Sequence, residues 1–465
     1  MSLTTSSPAR TRPRLHAAWM LAASLLLMAL AGCATVERTG APTGRGPRNE
    51  TMAQADVLAR QAATQAGTER AQTDKQIDTL LSTLDNPTLQ REAAALPAGD
   101  PLYNYAGRAL LRRGLPLPRP FDRSSWKFDA GNRPPADSDG YRPPVKLGVL
   151  LPLSGSLATA AAPVRDGFLT GYYGETRRRP EIAFYDTSTG AVAAYDRAVA
   201  EGNDFVVGPL GRDEVGALFN RGTLPVPMLA LNRGQMQPPA GNASFSLSPE
   251  DEGIAGAEYL IEHGARRVLV VSAEDDTQRR AVASLRERLA ERGGTVTDVA
   301  GEGVADFAPF AAKEGGVDAI FLAVRGGAAR QLMPRLALAG LAGKPRVATS
   351  QLLSGTGKAE EDRVLDGIAF PTESWTTRGA RGLPPASTAA AMLPNAKGPA
   401  ARLFAFGYDA WLITAYLEHL ARSSDSINGA TGVLRIDGFG NVQRTPAWST
   451  FSSGIAVPLA DAARR

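Results

Sequence analysis

From Val145 onward the chain alternates between short apolar runs and longer amphipathic stretches. KLGVLLPL, EIAFYD, DFVVGPL, VPMLAL, RRVLVVSA, DAIFLAV and PRVATS have strand length and are rich in branched residues. The stretches between them are long enough for crossover helices, and strands alternating with helices predict parallel sheets covered on both faces. Two such series meet near Ser248, so the pattern predicts an α/β body of two similar lobes over residues 145–460. Later, RLFAFGYDAWLITAYLEHLAR predicts a strongly apolar helix. GVLRIDGFGNVQR predicts a hairpin that turns at Asp437 to Asn441 and closes the body. The low-complexity stretch from Arg378 to Ala400 reads as a mobile surface loop.

The front of the chain has a different texture. Residues 51–114 turn to Ala, Gln, Leu and Glu, and Ile77, Leu80, Leu81 and Leu84 share one helix face. Asn86-Pro87 reads as an N-cap followed by proline in the first turn. This is a short helical region. Residues 115–144 are crowded with proline and turn residues, which exclude a helix or a central strand and predict a linker.

Ahead of these, three arginines and no acid precede an apolar run from Ala17 to Leu30, then Leu30-Ala31-Gly32-Cys33. The run is too short for a comfortable membrane span, which needs about 20 residues. The pattern predicts a signal peptide over residues 1–32 that ends in a lipobox, with Cys33 diacylated as the mature N-terminus. Residues 33–50 read as a lipidated, flexible tether. Bacterial lipoproteins share this arrangement, and Ala34 and Thr35 in place of an aspartate predict the outer membrane.

Charge and composition narrow the function. The chain has 465 residues, 43% hydrophobic and 21% charged, and a formal charge of +4. Without Arg10, Arg12 and Arg14 the charge is about +1, and no basic stripe interleaved with aromatics follows, so a nucleic-acid partner is not expected. Arg177 to Arg179 read as a solvated helix end. One cysteine leaves no disulfide framework and no cysteine metal site.

Turns at the carboxyl ends of parallel strands line the crevice of an open α/β sheet. Ser154, Gly155 and Ser156 after the first run, Asp186 after EIAFY, Gly208-Pro209 after DFVV and Asn232 after VPMLAL are therefore the possible cleft residues. PLSGSLATA lacks the spaced glycines and the Lys-Ser/Thr of a phosphate loop, and no dinucleotide fingerprint occurs. No cofactor is predicted. His16 falls in the signal, while His263 and His419 read as charges near helix C-termini. No nucleophile-base pair stands out, so no catalytic residue is assigned. Ser248-Pro249-Glu250-Asp251 reads as a capping box, and Asp409, inside an apolar helix, as a satisfied buried polar group.

The residues also resemble a family. GVLLPLSGSLATAAAPVRDGF, FYDTSTG, FVVGPLGRDEV, VPMLALN, FSLSPEDEG and FGYDAWLIT are similar to the penicillin-binding-protein activators of the LpoA type, whose body has the type I periplasmic-binding-protein fold. The resemblance spans roughly Val145 to Leu459. It implies a non-enzymatic outer-membrane lipoprotein that binds a class A penicillin-binding protein and stimulates peptidoglycan transpeptidation. It also implies that a large helical-repeat domain of the longer members is replaced here by the short front region. The alternative is a lipid-anchored solute receptor that closes on an amino acid or similar metabolite, with Ser154, Ser156 and Asp186 on the ligand. A third option is an envelope hydrolase that uses Asp186 or Asp409.

Overall fold

The computed structural model describes residues 49–459 apart from 124, 125 and 424. The predicted signal peptide, Cys33 and nearly all of the tether lie outside them.

Four helices open the described chain: α1 (Glu50–Ala62), α2 (Gly67–Thr83), α3 (Asn86–Ala95) and α4 (Tyr103–Arg112). The face anticipated on α2 is real, because Ile77 and Leu81 are fully buried in a core shared with Met52, Leu89 and Leu110. The cap of α3 sits one residue earlier than expected. Asp85 accepts the amide of Thr88, and Asn86 is already helical.

The first lobe is a five-stranded sheet in the order β2-β1-β3-β4-β5, with every pairing parallel. Its strands are β1 (Lys146–Leu151), β2 (Glu181–Asp186), β3 (Phe205–Val207), β4 (Met228–Ala230) and β5 (Ala243–Ser244). Alternate residues point to opposite faces. Leu147, Val149 and Leu151 enter one core with α5 (Ala158–Gly174), while Leu150 and Val206 enter another with α6 (Ala191–Ala200) and α7 (Arg212–Phe219).

The second lobe repeats this order. Between α8 (Pro249–Glu262), α9 (Asp276–Glu291) and α10 (Gly326–Leu338) run β6 (Arg267–Ser272), β7 (Thr295–Gly301), β8 (Ala319–Ala323), β9 (Arg346–Ala348) and β10 (Ala369–Thr372), arranged β7-β6-β8-β9-β10. Here the expectation of an all-parallel sheet needs correction. β14 (Ala447–Ser452) and β15 (Ile455–Pro458) extend the sheet beyond β10, and both pair antiparallel. The polar alternation of β14, AWSTFS, lacks the continuous apolar run that marks a doubly covered strand, and β15 is only four residues long.

Three further stretches differ from expectation. The proline-rich segment 115–144 has neither helix nor strand among its described residues, but it is no loose connector. Trp126, Phe128 and Tyr141 are buried in the first lobe's core, and Arg123 donates to the carbonyls of Leu420, Ile436 and Asp437. Residues 378–400 are structured, with a helix at Ala386–Met392 packed with Trp375 and Phe404 around a small core of their own. Arg177 and Arg178 bind protein groups. The first meets Asp139 at 3.0 Å and Glu175 at 2.9 Å, and the second donates to the carbonyls of Pro143 and Pro144.

The apolar helix is α11 (Pro399–Arg422). Although it follows the second lobe in sequence, it packs along α5 of the first, and Phe406, Ala410 and Trp411 join that lobe's core. The predicted hairpin forms as β12 (Val433–Ile436) and β13 (Val442–Thr445), with β11 (Ile427–Asn428) alongside. No described helix is long and apolar enough to cross a membrane.

Candidate functional site

In both lobes the strand order reverses at the first strand, and open α/β sheets place their crevice at such a switch point. The loop after β1 and the loop after β2 meet there. Ser154 Oγ donates to Asp186 Oδ2 at 2.8 Å, and the amides of Leu153 and Ser188 reach Asp186 Oδ1 at 2.9 and 3.0 Å. Ser188, which the sequence did not single out, completes the cluster with Oγ 2.7 Å from that of Ser154. Backbone amides of Ser188 and Leu153, then the Ser154 hydroxyl, hold the Asp186 carboxyl well below the usual carboxylate range. Asp186 is thus an ionised loop brace whose acceptors already serve its own lobe. Gly155, at φ +75°, and Ser156 form the exposed tip of the same loop.

Gly208, Pro209 and Asn232 do not join them. Gly208 and Pro209 are buried, and their backbone ties strand ends together through Gly208 N to Leu229 O and Leu231 N to Pro209 O. Asn232 donates to Leu210 O at 2.9 Å. These three residues support the rim from beneath.

A buried ionic network ties the second lobe to α11. Glu252 in α8, Glu373 after β10 and Ser350 after β9 surround Arg402 of α11. Arg402 Nη1 pairs with Glu252 and reaches Ser350 Oγ, while Nε lies 3.3 Å from Glu373 Oε1. Glu252 also accepts Ser350 N at 2.9 Å and Ser350 Oγ at 2.8 Å. Burial works against the Arg402 charge, but Glu252 and Glu373 outweigh it and raise its pKa. The SPED motif that precedes this network is a cap only in part. Ser248 accepts Asp251 N, but the Asp251 carboxylate turns away to Arg233 at 2.8 Å and does not return to the cap. Nothing local marks Glu252, because its partners lie about 100 and 150 residues further along the chain.

Asp409 is fully buried and accepts the amides of Ala430 and Thr431 at 2.6 and 2.7 Å and the Thr431 hydroxyl at 2.5 Å. It fastens α11 to the start of the hairpin sheet, as a satisfied polar group should. Burial pushes its carboxyl up to about 6, against the pull of the Thr431 and Ala430 bonds. Between the unfolded value of 3.8 and about 6, the folded chain holds the proton more tightly, so stability falls as pH rises through that window. Wild type should therefore lose about 2 kcal/mol more than Asp409→Asn between pH 4.5 and 7.5. Denaturant unfolding at the two pH values reads the difference, and equal slopes for the two proteins would remove the assignment.

His263 caps α8 and stacks on Tyr259, while His419, in the last turn of α11, meets Asp425 at 3.3 Å. Both sit at helix C-termini as expected. Among the described residues, no group of three or more His, Cys, Asp or Glu could hold a metal. Neither of two cavities, of about 1040 and 520 Å³, is lined by Ser154, Asp186 or Asn232, but Arg233, Asp251 and Glu252 line the larger. The larger lies where α4, α8 and the hairpin sheet converge.

The LppC putative lipoprotein family matches residues 141–304 and 305–454, which cover both lobes. The chain belongs to this family. Among its relatives, the penicillin-binding protein activator LpoA of Photobacterium profundum is 26% identical over 362 residues, covering 68% of this chain and 57% of the relative. That of Vibrio vulnificus is 24% identical over 345 residues, covering 66% and 57%. The chain thus spans little more than half the length of these relatives. In structure, the C-domain of LpoA (YraM) from Haemophilus influenzae, described as a regulator of PBP1A, matches with a TM-score of 0.57 and 22% identity over 68% of this chain and all of that one. A putative branched-chain amino acid ABC transporter protein from Chromobacterium violaceum matches with a TM-score of 0.53 and 27% identity over 66% of this chain and all of that one. The fold is that of the periplasmic binding proteins.

Proposed function

We propose that this LppC-family chain is an outer-membrane lipoprotein, anchored through Cys33, that docks on a class A penicillin-binding protein and stimulates its transpeptidase reaction while catalysing none itself. The observation that carries the reading is the match of both lobes to relatives named as penicillin-binding protein activators. The rim geometry supports it. A receptor for a zwitterion needs free polar groups at the switch point, and the carboxylate on the first lobe's rim, Asp186, is engaged by three donors of its own lobe.

The test is direct. The purified chain, added to a class A penicillin-binding protein from the same organism with lipid-linked substrate, should raise the cross-linked fraction of the peptidoglycan formed. A chain without the synthase should form none. No binding and no change in cross-linking would sink the reading. Saturable thermal stabilisation by a branched-chain amino acid would instead favour a receptor like the Chromobacterium protein.

A further inference from the structure

Periplasmic-binding-protein bodies close by rotating one lobe against the other about their crossover strands. In this chain the two lobes, which also meet through Arg233–Asp251 and Arg212–Glu250, share a further connection away from those strands, made by the front helices α1 to α4.

On the first-lobe side the connection is a plug. The hairpin belongs to the first lobe, because Leu434, Ile436 and Val442 lie in that lobe's core and Ser244 N bonds Gly440 O beside β5. Its turn, however, projects into the front helices. Phe439 is a member of their core and lies 4.7 Å from the Tyr105 ring, and Arg108 sits over its face. Gly438 lies directly against the Asn104 amide, where a Cβ would be 2.0 Å from Nδ2.

On the second-lobe side the connection is polar and buried. Arg292, at the end of α9, donates to Leu84 O at 2.7 Å and to Asn86 Oδ1 at 3.2 Å. Arg113, at the end of α4, donates to the same two oxygens at 2.7 and 3.1 Å. A guanidinium from the second lobe and one from the front region thus share one pair of acceptors. Glu258 of α8 lies 3.5 Å from Arg292, and Lys75 meets Glu287 at 3.3 Å further along the seam.

We infer that the front helices are a lock on the angle between the lobes, seated on the first lobe by Phe439 and on the second by Arg292. Rotation of the lobes must pull Phe439 from an apolar core or strip the Leu84 and Asn86 bonds from a largely buried arginine. Each step carries a free-energy penalty absent from a body hinged by its crossovers alone. The rim loops are then presented at one fixed spacing, which suits a docking face and opposes closure on a small molecule. The lock stands whatever partner the body engages.

The test is an interlobe distance measured on the full chain in a Cys33→Ser background. Spin labels go on cysteines introduced at the exposed residues Ala193 in the first lobe and Ala283 in the second. Pulsed dipolar spectroscopy should return one narrow distance for the parent. A broader or second distance should appear in Arg292→Ala, in Phe439→Ala, or in both, with far-UV circular dichroism unchanged. A broad distribution in the parent, or a parent-like narrow one in every folded variant, would overturn the lock. Because no synthase is present, neither result bears on the activator assignment.

Discussion

Gly407→Ala should cost the chain about 3 kcal/mol or more of stability. Gly407 in α11 faces Val164 in α5, and an added Cβ would lie 1.9 Å from the Val164 carbonyl oxygen. The contact is reciprocal, since a Cβ on Gly167 would lie 1.8 Å from Phe404 O. Neither obstacle is the end of a flexible side chain, so relief requires the helices to move apart along their crossing. That shift would loosen Phe168 and Trp411, whose rings pack edge to face at 5.7 Å. Gly167→Ala should have a similar effect. The double variant should lose less than the sum, because one separation of the helices relieves both clashes. Thermal and denaturant unfolding of the three variants checks this. A melting temperature unchanged in either single variant would show that the helices do not approach so closely.

Arg402→Ala should be at least as damaging, for an electrostatic reason. It leaves Glu252 and Glu373, which are 4% and 3% exposed, without their shared cation. Removing one partner of a buried ion pair typically costs about 3–5 kcal/mol, because the remaining charge keeps its desolvation penalty and loses its compensation. Neutralising the survivors should recover part of the loss, so Glu252→Gln with Glu373→Gln in the Arg402→Met background is expected to be more stable than Arg402→Met alone. Equilibrium unfolding in urea separates the four proteins. A triple variant no more stable than Arg402→Met would mean that the arginine acts through packing and not through charge.

Much of the architecture is legible in the residues, and the reason differs from element to element. β1, β6 and β8 are buried on both faces, so their apolar runs are continuous and bounded by turns. The front helix face at Ile77 and Leu81 and the hairpin turn at Asp437 to Asn441 are local patterns of the same kind. β14 escapes this reading because its partner β10 lies about 75 residues earlier and its alternation is too short to separate from a loop, and β15 escapes it because it is only four residues long and pairs with β14 alone. Trp126, Phe128 and Tyr141 escape it because prolines mark where regular structure stops and say nothing about where aromatic side chains are buried.

The rim divides in the same way. Ser154 and Asp186 come together because one follows β1 and the other ends the adjacent β2, a consequence of sheet order that alternating strands and helices imply. Gly208, Pro209 and Asn232 follow neighbouring strands too, but their orientation depends on backbone bonds that residue type does not encode. The sequence by itself determined the two α/β lobes, the helical front and the lack of a visible nucleophile-base pair, since these rest on periodicity and composition, which act over a few residues. Only the tertiary structure decided that Gly167 meets Phe404, that Arg402 balances two distant carboxylates, and that the front helices grip both lobes. Those contacts join segments tens to hundreds of residues apart, and a long-range contact is selected by the free energy of the whole packed chain, so no stretch of sequence carries it alone.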